Sequence, residues 1–600
     1  MKVSAIILTA LKFIVLPQNP HWTEQEIAEV VQAQLAERYQ VKVEIVRGQA
    51  PEDAPSILIG QGPALTSGMI SEEEIAKTRP DGFVIKARDG RIAIAGHRPR
   101  GALYGGYELL RRMGLKLYPH RGGRGGRIET FTPLPEARLP EFKLIEKPFF
   151  EYRALRTWVN RGRFGGGSVA DTGDVRTAAN RDLFGTRHPD PKRGITGRYC
   201  SSVHNAGYLV PKEFHYDEHP EYYGMSSPGK RIPKSTRYGR IILNMKHPDV
   251  RRITGERLLE WMDIQKDRRF FWVLDGDARM DKNPEVVAKD PQPHYFTDRA
   301  LKWVNAAARA AAAKYPEKRI LTGAYIETVK PPVEVKPAPN VVVMYCPWYW
   351  TSVNNRSHSY DHPQNIIGAE EIYGWLLCCP DQVGVFDYPG IPLTWLRGQV
   401  DRIKFYARNG IRHIHFDGAP LPFEDIFHHV VSWQLWDPTL DSVELERDFI
   451  KAYYGPAAEP MQAYWDLHHA SCTKYFGRLT KDEELIAAAR KLFGRAEELA
   501  EGDDDALFRI RYDVYRWLGT YLKHTHRNWR NDARYGFMRL TGDQVEQYRR
   551  DLAWHKRLGE GIYNVVSRTD ERRAAAIRRW LNRSDVDAKW ADDLEALKAQ

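Results

Sequence analysis

The chain predicts a mixed α/β protein: a (β/α)8 TIM-like barrel with a small N-terminal α/β domain and a C-terminal helical domain. Three observations predict it. Short apolar runs end repeatedly in an acid, at Phe270–Asp277 (FFWVLDGD), Arg319–Glu327 (RILTGAYIE), Gln382–Tyr388 (QVGVFDY) and Arg412–Gly418 (RHIHFDG). Helical stretches lie between such runs, and polar groups at the C-terminal ends of buried parallel strands are how a barrel active site looks in one dimension. At 600 residues the chain exceeds what a single core supports, so two to four domains are expected.

Residues 1–120 alternate strand and helix signals, as a small α/β domain does. KFIVLP reads as a first strand, Thr23–Tyr39 as a helix, and VKVEIV and SILIG as further strands. GFVIKAR and RIAIAG are joined through Asp89-Gly90, a dipeptide that favours a type I′ hairpin. A helix over Arg100–Met113 closes the unit. Residues 121–147, which include RGGRGGR and a Pro-rich stretch, read as a linker. Between residues 148 and 437, the expected barrel, eight strand candidates follow: EYRALRTW, RYCSSVH, RIILNM, FFWVLDG, RILTGAYI, NVVVMYC, QVGVFDY and RHIHFDG. The helical stretches Val250–Ile264, Thr297–Lys314 and Thr394–Asn409 separate some of them. Residues 438–600 turn helical. There Leu507, Ile510, Val514, Trp517, Leu518 and Tyr521 share one helix face as a core stripe, and Arg572–Arg579 reads as a solvated face.

Composition narrows the function. A hydrophobic fraction of 42% with 17 Trp describes a globular chain with aromatic surface to spare for a ligand. The net charge of +11 is a small excess of 89 basic over 78 acidic residues, spread along the chain and not run into a tail; an acidic sugar polymer and a nucleic acid would both fit it, a merely solvated surface is the simpler reading, and no nucleic-acid partner is expected. The glycines at 165–167 lack the lysine of a phosphate-binding loop. Five cysteines without CxxC spacing argue against a structural zinc site and a disulfide framework, so neither cofactor nor metal is expected. Val3–Leu16 is too short to span a bilayer and is interrupted by Lys12. No small-x-small cleavage site precedes Pro17, so a cytoplasmic protein, or a secreted one already trimmed, is expected, with no membrane partner.

Carboxylates converging at strand ends point to glycosidic-bond chemistry. That reaction needs one carboxylic acid to protonate the leaving oxygen and a second group to attack the sugar or activate water. The candidates are Asp275 and Asp277, on one face of a regular strand; Glu327, on the face of Tyr325; and Asp417, on the face of His413 and His415. Crowded carboxylates raise one pKa, which suits a proton donor, while a cap on the next helix is the competing role for either aspartate. Substrate contacts are expected from Arg156, Trp158, His204, Asn205, Tyr325, Trp348, Trp350, Asp387, Tyr388 and His415. Aromatic faces stack on pyranose rings, and Arg156 and Arg163 suit a carboxylate or sulfate; for the tryptophans a core position competes on equal terms. His413, His415 and Asp417 also have the i, i+2, i+4 spacing of a strand-borne metal site, against the commoner role of barrel histidines as core residues.

Longer segments carry a resemblance. RGALYGGYELLRRMGLKLYP is similar to the end of the small domain that precedes the barrel in bacterial alpha-glucuronidases and beta-hexosaminidases. HPEYYGM, LNMKHPDVRRITGERLLEWM, YPEKRILTGAYIETVKPPVEVKPAPNVVVMYCP and LWDPTLDSVELERDFIKAYYGPAAEPMQAYWDLHH resemble consecutive blocks of a bacterial family labelled by a domain of unknown function. That family overlaps glycoside hydrolase family 163, whose activity is endo-beta-N-acetylglucosaminidase action on N-glycans. The resemblance implies a barrel glycosidase acting on an oligo- or polysaccharide, with Asp277 as general acid because it matches the family's acidic position. Members usually carry Asn-Asp after the fourth strand and a Glu-rich turn after the last; here these places read Asp275-Gly276-Asp277 and Phe416-Asp417-Gly418, and Glu327 is an added acid. Glu327 and Asp417 are the candidates for base, nucleophile or stabiliser, unless the acetamide of an N-acetylhexosamine takes the nucleophile's place. The alternatives are a glycosidase for uronate- or sulfate-bearing polysaccharide of the alpha-glucuronidase kind, a carbohydrate-binding protein without catalysis, and a metal-dependent hydrolase using His413, His415 and Asp417.

Overall fold

The computed structural model describes residues 5–49, 54–119, 127–156, 203–227, 230–266, 268–277, 295–347, 359–388, 396–417, 423–475, 482–534, 541–567 and 590–598, with 575, 578 and 581 besides. The chain divides into two compact units, one drawn from residues 1–151 and 420–600, the other from 152–158 and 179–419.

The first unit holds a six-stranded sheet of β1 (Phe13–Leu16), β2 (Glu44–Arg47), β3 (Ser56–Ile59), β4 (Phe83–Arg88), β5 (Arg91–Ala95) and β6 (Phe142–Glu146), in the order β6-β4-β5-β3-β1-β2. Strand β4 runs against its neighbours β5 and β6; the remaining pairs are parallel. The β4–β5 hairpin turns through Asp89 (φ 52°) and Gly90 (φ 74°), the two left-handed residues that a type I′ turn demands. Strand β6 and the hairpin Leu115–Pro119/Arg127–Phe131 fall in or beside the stretch read as a linker: FKLIE finds an open sheet edge and pairs with it. Among the described residues, seven longer C-terminal helices belong to the same unit, from Glu424–Trp436 to Trp590–Lys598. The first of these lies inside the range expected for the barrel, yet its Trp436 packs on Phe83 and Tyr104, with ring centroids 6.0 and 5.3 Å away. In Asp504–Arg534 the expected stripe is buried at Ile510, Val514, Trp517, Leu518 and Tyr521.

The second unit is built on an all-parallel sheet of β7 (Tyr152–Arg156), β8 (Phe270–Trp272), β9 (Arg319–Ala324), β10 (Val341–Tyr345), β11 (Val383–Asp387) and β12 (His413–Asp417). The strand order is β7-β12-β11-β10-β9-β8, so β7 and β8 are the two edges. In a flat sheet such edges would stand about 24 Å apart, at roughly 4.8 Å per strand. Here the rings of Tyr152 on β7 and Phe270 on β8 are 5.0 Å apart, so the sheet is curled until its edges face each other. Alternate residues fill the hollow: Tyr152, Ala154, Phe270, Trp272, Leu321, Val342, Met344, Cys346 and Phe386 form one buried cluster.

Helices Tyr295–Lys314, Ile366–Cys378 and Leu396–Arg408 provide crossovers, and Pro248–Ile264 packs on the first of them, where the Trp303 indole donates to Thr254 Oγ1 at 2.9 Å. No α-helix joins β9 to β10. The prolines of KPPVEVKPAP forbid one, and Asp298 instead accepts the N–H groups of Val333, Glu334 and Val335 at 3.2, 3.0 and 2.7 Å.

Two expected strands need correction or fall away. Arg240–Met245 (RIILNM) is no barrel strand, because its backbone is spent elsewhere: Gly224 N–H donates to Ile242 O and Asn244 N–H to Tyr222 O, both at 2.8 Å. RYCSSVH lies outside the described residues except for Val203 and His204. No described helix is long and apolar enough to cross a membrane.

Candidate active site

At the C-terminal end of the curled sheet the chain leaves β8 through Val273–Asp277. This segment is laced to the loop at Gly239–Leu243: Asp277 N–H donates to Gly239 O at 2.7 Å and Leu243 N–H to Asp275 Oδ1 at 3.3 Å. Gly276 is required by the close approach, since a Cβ there would sit 2.4 Å from Ile241 O. The free edge of β8 is covered by Asn205. Its side-chain amide donates to Trp272 O at 2.6 Å and accepts from Leu274 N–H at 3.1 Å, as a neighbouring strand would.

The lacing separates the two aspartates that strand parity had put together. Asp275 is bound into the loop, whereas Asp277 emerges half-exposed beside His204 and Arg240, with Oδ1 4.0 Å from His204 Nε2 and Oδ2 3.9 Å from Arg240 Nη2. His204 Nδ1 lies 2.9 Å from Asp275 O. A carbonyl only accepts, so Nδ1 carries the hydrogen and the neutral ring turns its Nε2 lone pair toward Asp277. Burial pushes the His204 pKa below the ordinary histidine value, against the pull of the Asp275 carbonyl, Asp277 and Asp417.

Asp417 arrives from the other side. On β12 the side chains of His413, His415 and Asp417 follow one another up the interior face. His413 meets Phe270 at 5.7 Å between centroids, and His415 stacks on Phe386 at 4.1 Å. Asp417 tops this column and is buried. Tyr388 continues the interior face of β11. Burial raises its hydroxyl pKa far above the ordinary value, with further upward pushes from Cys346, Tyr325, Asp417 and Asp277. His204 lies 5.8 Å from Tyr325 between ring centroids, and Tyr325 and Tyr388 pack on the buried cluster that contains Cys346, so these groups, with Asp277 beside His204, Asp417 at the end of β12 and Arg240 at the rim, form one constellation at the sheet's C-terminal end. Its groups can donate or accept protons beside an aromatic wall.

Several residues expected here do other work. Asp387 has the wrong parity: Phe386 and Tyr388 face the interior, so Asp387 faces the helix layer. There, fully buried, it pairs with Arg402 at 3.2 Å and accepts from Tyr406 Oη at 2.6 Å. Asn205 is a structural clamp, and His415 is a core ring in the middle layer. Glu327 does not share the face of Tyr325, because the strand ends at Ala324 and Ile326–Thr328 turn into a 3-10 helix. The His413, His415, Asp417 metal set fails on geometry. Residues four apart on a strand stand about 13 Å from end to end, too far to share one ion. Burial, aided by Arg269 and Arg319, pushes the His413 pKa down to about 3, as suits a neutral core ring. Among the described residues no cluster of His, Cys, Asp and Glu could hold a metal. Arg156 ends β7; Trp158, Arg163, Trp348 and Trp350 lie outside the described residues.

Sequence reasoning missed Arg240 and Cys346. Arg240 was hidden in a false strand. The alternation Val342, Met344, Cys346 was the signal that places Cys346 inside.

Residues 128–466 match DUF4838, a domain of unknown function, and the chain belongs to that family. No curated protein matches the sequence. Among solved structures, a family GH115 4-O-methyl-alpha-glucuronidase with specificity for decorated arabinogalactans is similar at a TM-score of 0.59 and 10% identity, over 98% of this chain and 79% of that one. CpGH84D aligns at a TM-score of 0.45 and 11% identity over 99% of this chain and 91% of that one. A GH138 enzyme targeting pectin rhamnogalacturonan II aligns at 0.43 and 10% over 98% of each. The GH115 likeness is one of fold.

Proposed function

We propose that this protein is a glycoside hydrolase whose carboxylates work at the mouth of a (β/α)8 barrel, of which the six parallel strands are the described part. The observation that carries the reading is that Asp277, on the segment leaving β8 and 4.0 Å from His204, and Asp417, at the end of β12, both come from the C-terminal end of one parallel curled sheet and both act on His204 and Tyr388. That is where barrel enzymes keep their chemistry, and the GH115 fold likeness supports it.

In this reading Asp277 is the general acid. It is the more exposed carboxylate, placed to meet a leaving-group oxygen, with the His204 ring 4.0 Å behind it. Asp417, deeper in the mouth, stabilises the developing oxocarbenium charge or attacks, or orients a substrate acetamide if the sugar is an N-acetylhexosamine. Tyr325 and Tyr388 supply the ring-stacking wall. A second reading, action on a uronate-bearing glycan, is favoured by the Arg240 guanidinium at the rim of the site.

Hydrolysis of a glycan panel spanning N-acetylhexosaminides, uronides and neutral glycosides tests both. Asp277→Asn is expected to lose roughly 10²-fold or more in turnover on a natural glycan while partly sparing a nitrophenyl glycoside, whose leaving group needs little protonation. Near-normal turnover on the natural glycan moves the acid elsewhere, and no turnover of any member by the parent protein leaves a carbohydrate-binding protein.

A further inference from the structure

We infer that the unit formed by residues 1–151 and 420–600 carries a second saccharide site, for a neutral sugar, in a cavity bounded by the helix Pro99–Arg112, the strand Leu115–Pro119 and the first C-terminal helices. The cavity holds about 520 Å³, within the range of small-ligand sites.

Its floor is rigid. Trp436 is buried and fixed by Phe83 and Tyr104, and Tyr107 beside it is buried too. Trp433, one turn earlier on the same helix, lines the cavity half-buried, and its carbonyl is held by Asp437 N–H at 2.8 Å. An indole on a fixed backbone offers a flat apolar face to one side of a pyranose.

The polar lining is oriented in advance. Asp437 commits Oδ1 to Thr439, at 2.9 Å to N and 2.6 Å to Oγ1, and Asp441 commits Oδ1 to Val443 N–H at 2.8 Å. Each therefore has its carboxylate plane set by the backbone, with Oδ2 left to accept from a sugar hydroxyl. Asp448 is a strut instead, both oxygens being taken by Lys116 Nζ and Tyr118 Oη at 2.8 Å. Glu444 is exposed at the rim.

Charge decides the class of sugar. Five acids (Glu146, Asp437, Asp441, Glu444, Asp448) line the cavity against Arg111, Lys116 and one histidine, His429, which is buried against the Tyr118 and Phe449 rings; two of the three are permanent bases. Both bases are already held by carboxylates, Lys116 by Asp448 and Arg111 by Glu108 at 2.8 Å. A uronate or sulfate ester would enter an acidic field whose lysine and arginine are already paired, whereas hydroxyls meet acceptors.

Isothermal titration of the full chain tests this, in the Asp277→Asn/Asp417→Asn background so that nothing is hydrolysed. Cellohexaose, xylohexaose, laminarihexaose and mannohexaose serve as neutral probes, with hexagalacturonate as the anionic one. At least one neutral probe is expected to bind. Trp433→Ala should weaken it about tenfold or more, and Glu444→Gln, at an exposed position that leaves the fold alone, about threefold. The inference is overturned if no neutral probe binds, if neither substitution changes affinity, or if hexagalacturonate binds as tightly through Trp433. Because the readout is binding, an inactive parent protein would sink the glycosidase reading without touching this one.

Discussion

Replacing Asp387 by Asn separates a structural carboxylate from a substrate contact. Asp387 and Arg402 are both fully buried, with Arg402 Nη1 3.2 and 3.4 Å from the two oxygens, Tyr406 Oη donating to one at 2.6 Å and Tyr388 N–H to the other at 2.7 Å. Asparagine keeps the volume and one acceptor but turns an NH2 toward a guanidinium that also only donates. The guanidinium then stands buried without its counter-charge, a change that costs about 3–5 kcal/mol. In a unit of about 250 residues this lowers the melting temperature by about 6–20 °C, at about 2–4 °C per kcal/mol. Thermal unfolding of parent and variant, followed by calorimetry and near-UV circular dichroism, measures it. The double change Asp387→Leu/Arg402→Met should recover much of the loss, because removing both charges removes the unpaired one. A shift under about 2 °C together with a raised KM on an active substrate would refute the reasoning and return Asp387 to the substrate.

Asp513 makes stability depend on pH: burial, with Asp425 beside it, pushes its carboxyl up to about 7, although Tyr454 Oη donates to it. The raised value means that the fold holds the proton more tightly than the unfolded chain. This stability is complete below the ordinary carboxylate pKa of about 4 and is lost as pH rises from there through 7, by at most about 4 kcal/mol. Asp513→Asn should flatten that slope in urea titrations at pH 5 and 8; an unchanged slope would exclude Asp513 as its source. Lys318 is buried and donates to Gln265, Lys266 and Arg268 carbonyls at 3.1, 2.8 and 2.7 Å, on the N-terminal side of the sheet. Lys318→Met should therefore cost about 2–4 kcal/mol in urea unfolding without altering KM, as expected of a stability residue at that end. His204→Ala removes the group facing Asp277, so the alkaline limb of the pH–rate profile, which reports ionisation of the general acid, should move while KM stays; an unmoved limb would deny the coupling.

Periodicity and turn chemistry made much of the local architecture legible. The Asp89-Gly90 hairpin, the helix Pro99–Arg112, the apolar runs that became β8 to β12 and the buried stripe around Trp517 follow from short-range rules that each segment obeys alone. Those rules also carried Asp277 and Asp417 to the ends of parallel strands. What they could not decide was which side of the sheet an acid ends on once a strand stops. A strand that ends at Ala324 or Trp272 ends its alternation there too, so Glu327 and Asp275 left the face that parity assigned them. Asp387, still inside its strand, faces outward because Phe386 and Tyr388 take the interior. RIILNM, apolar enough for a strand, found its partners in Tyr222–Gly224 and became the loop that aims Asp277. FKLIE paired across the first sheet. Local sequence sets which backbone states a segment can hold; which partner satisfies its hydrogen bonds, and therefore where its side chains point, is set by whatever edge or helix the folded chain brings beside it.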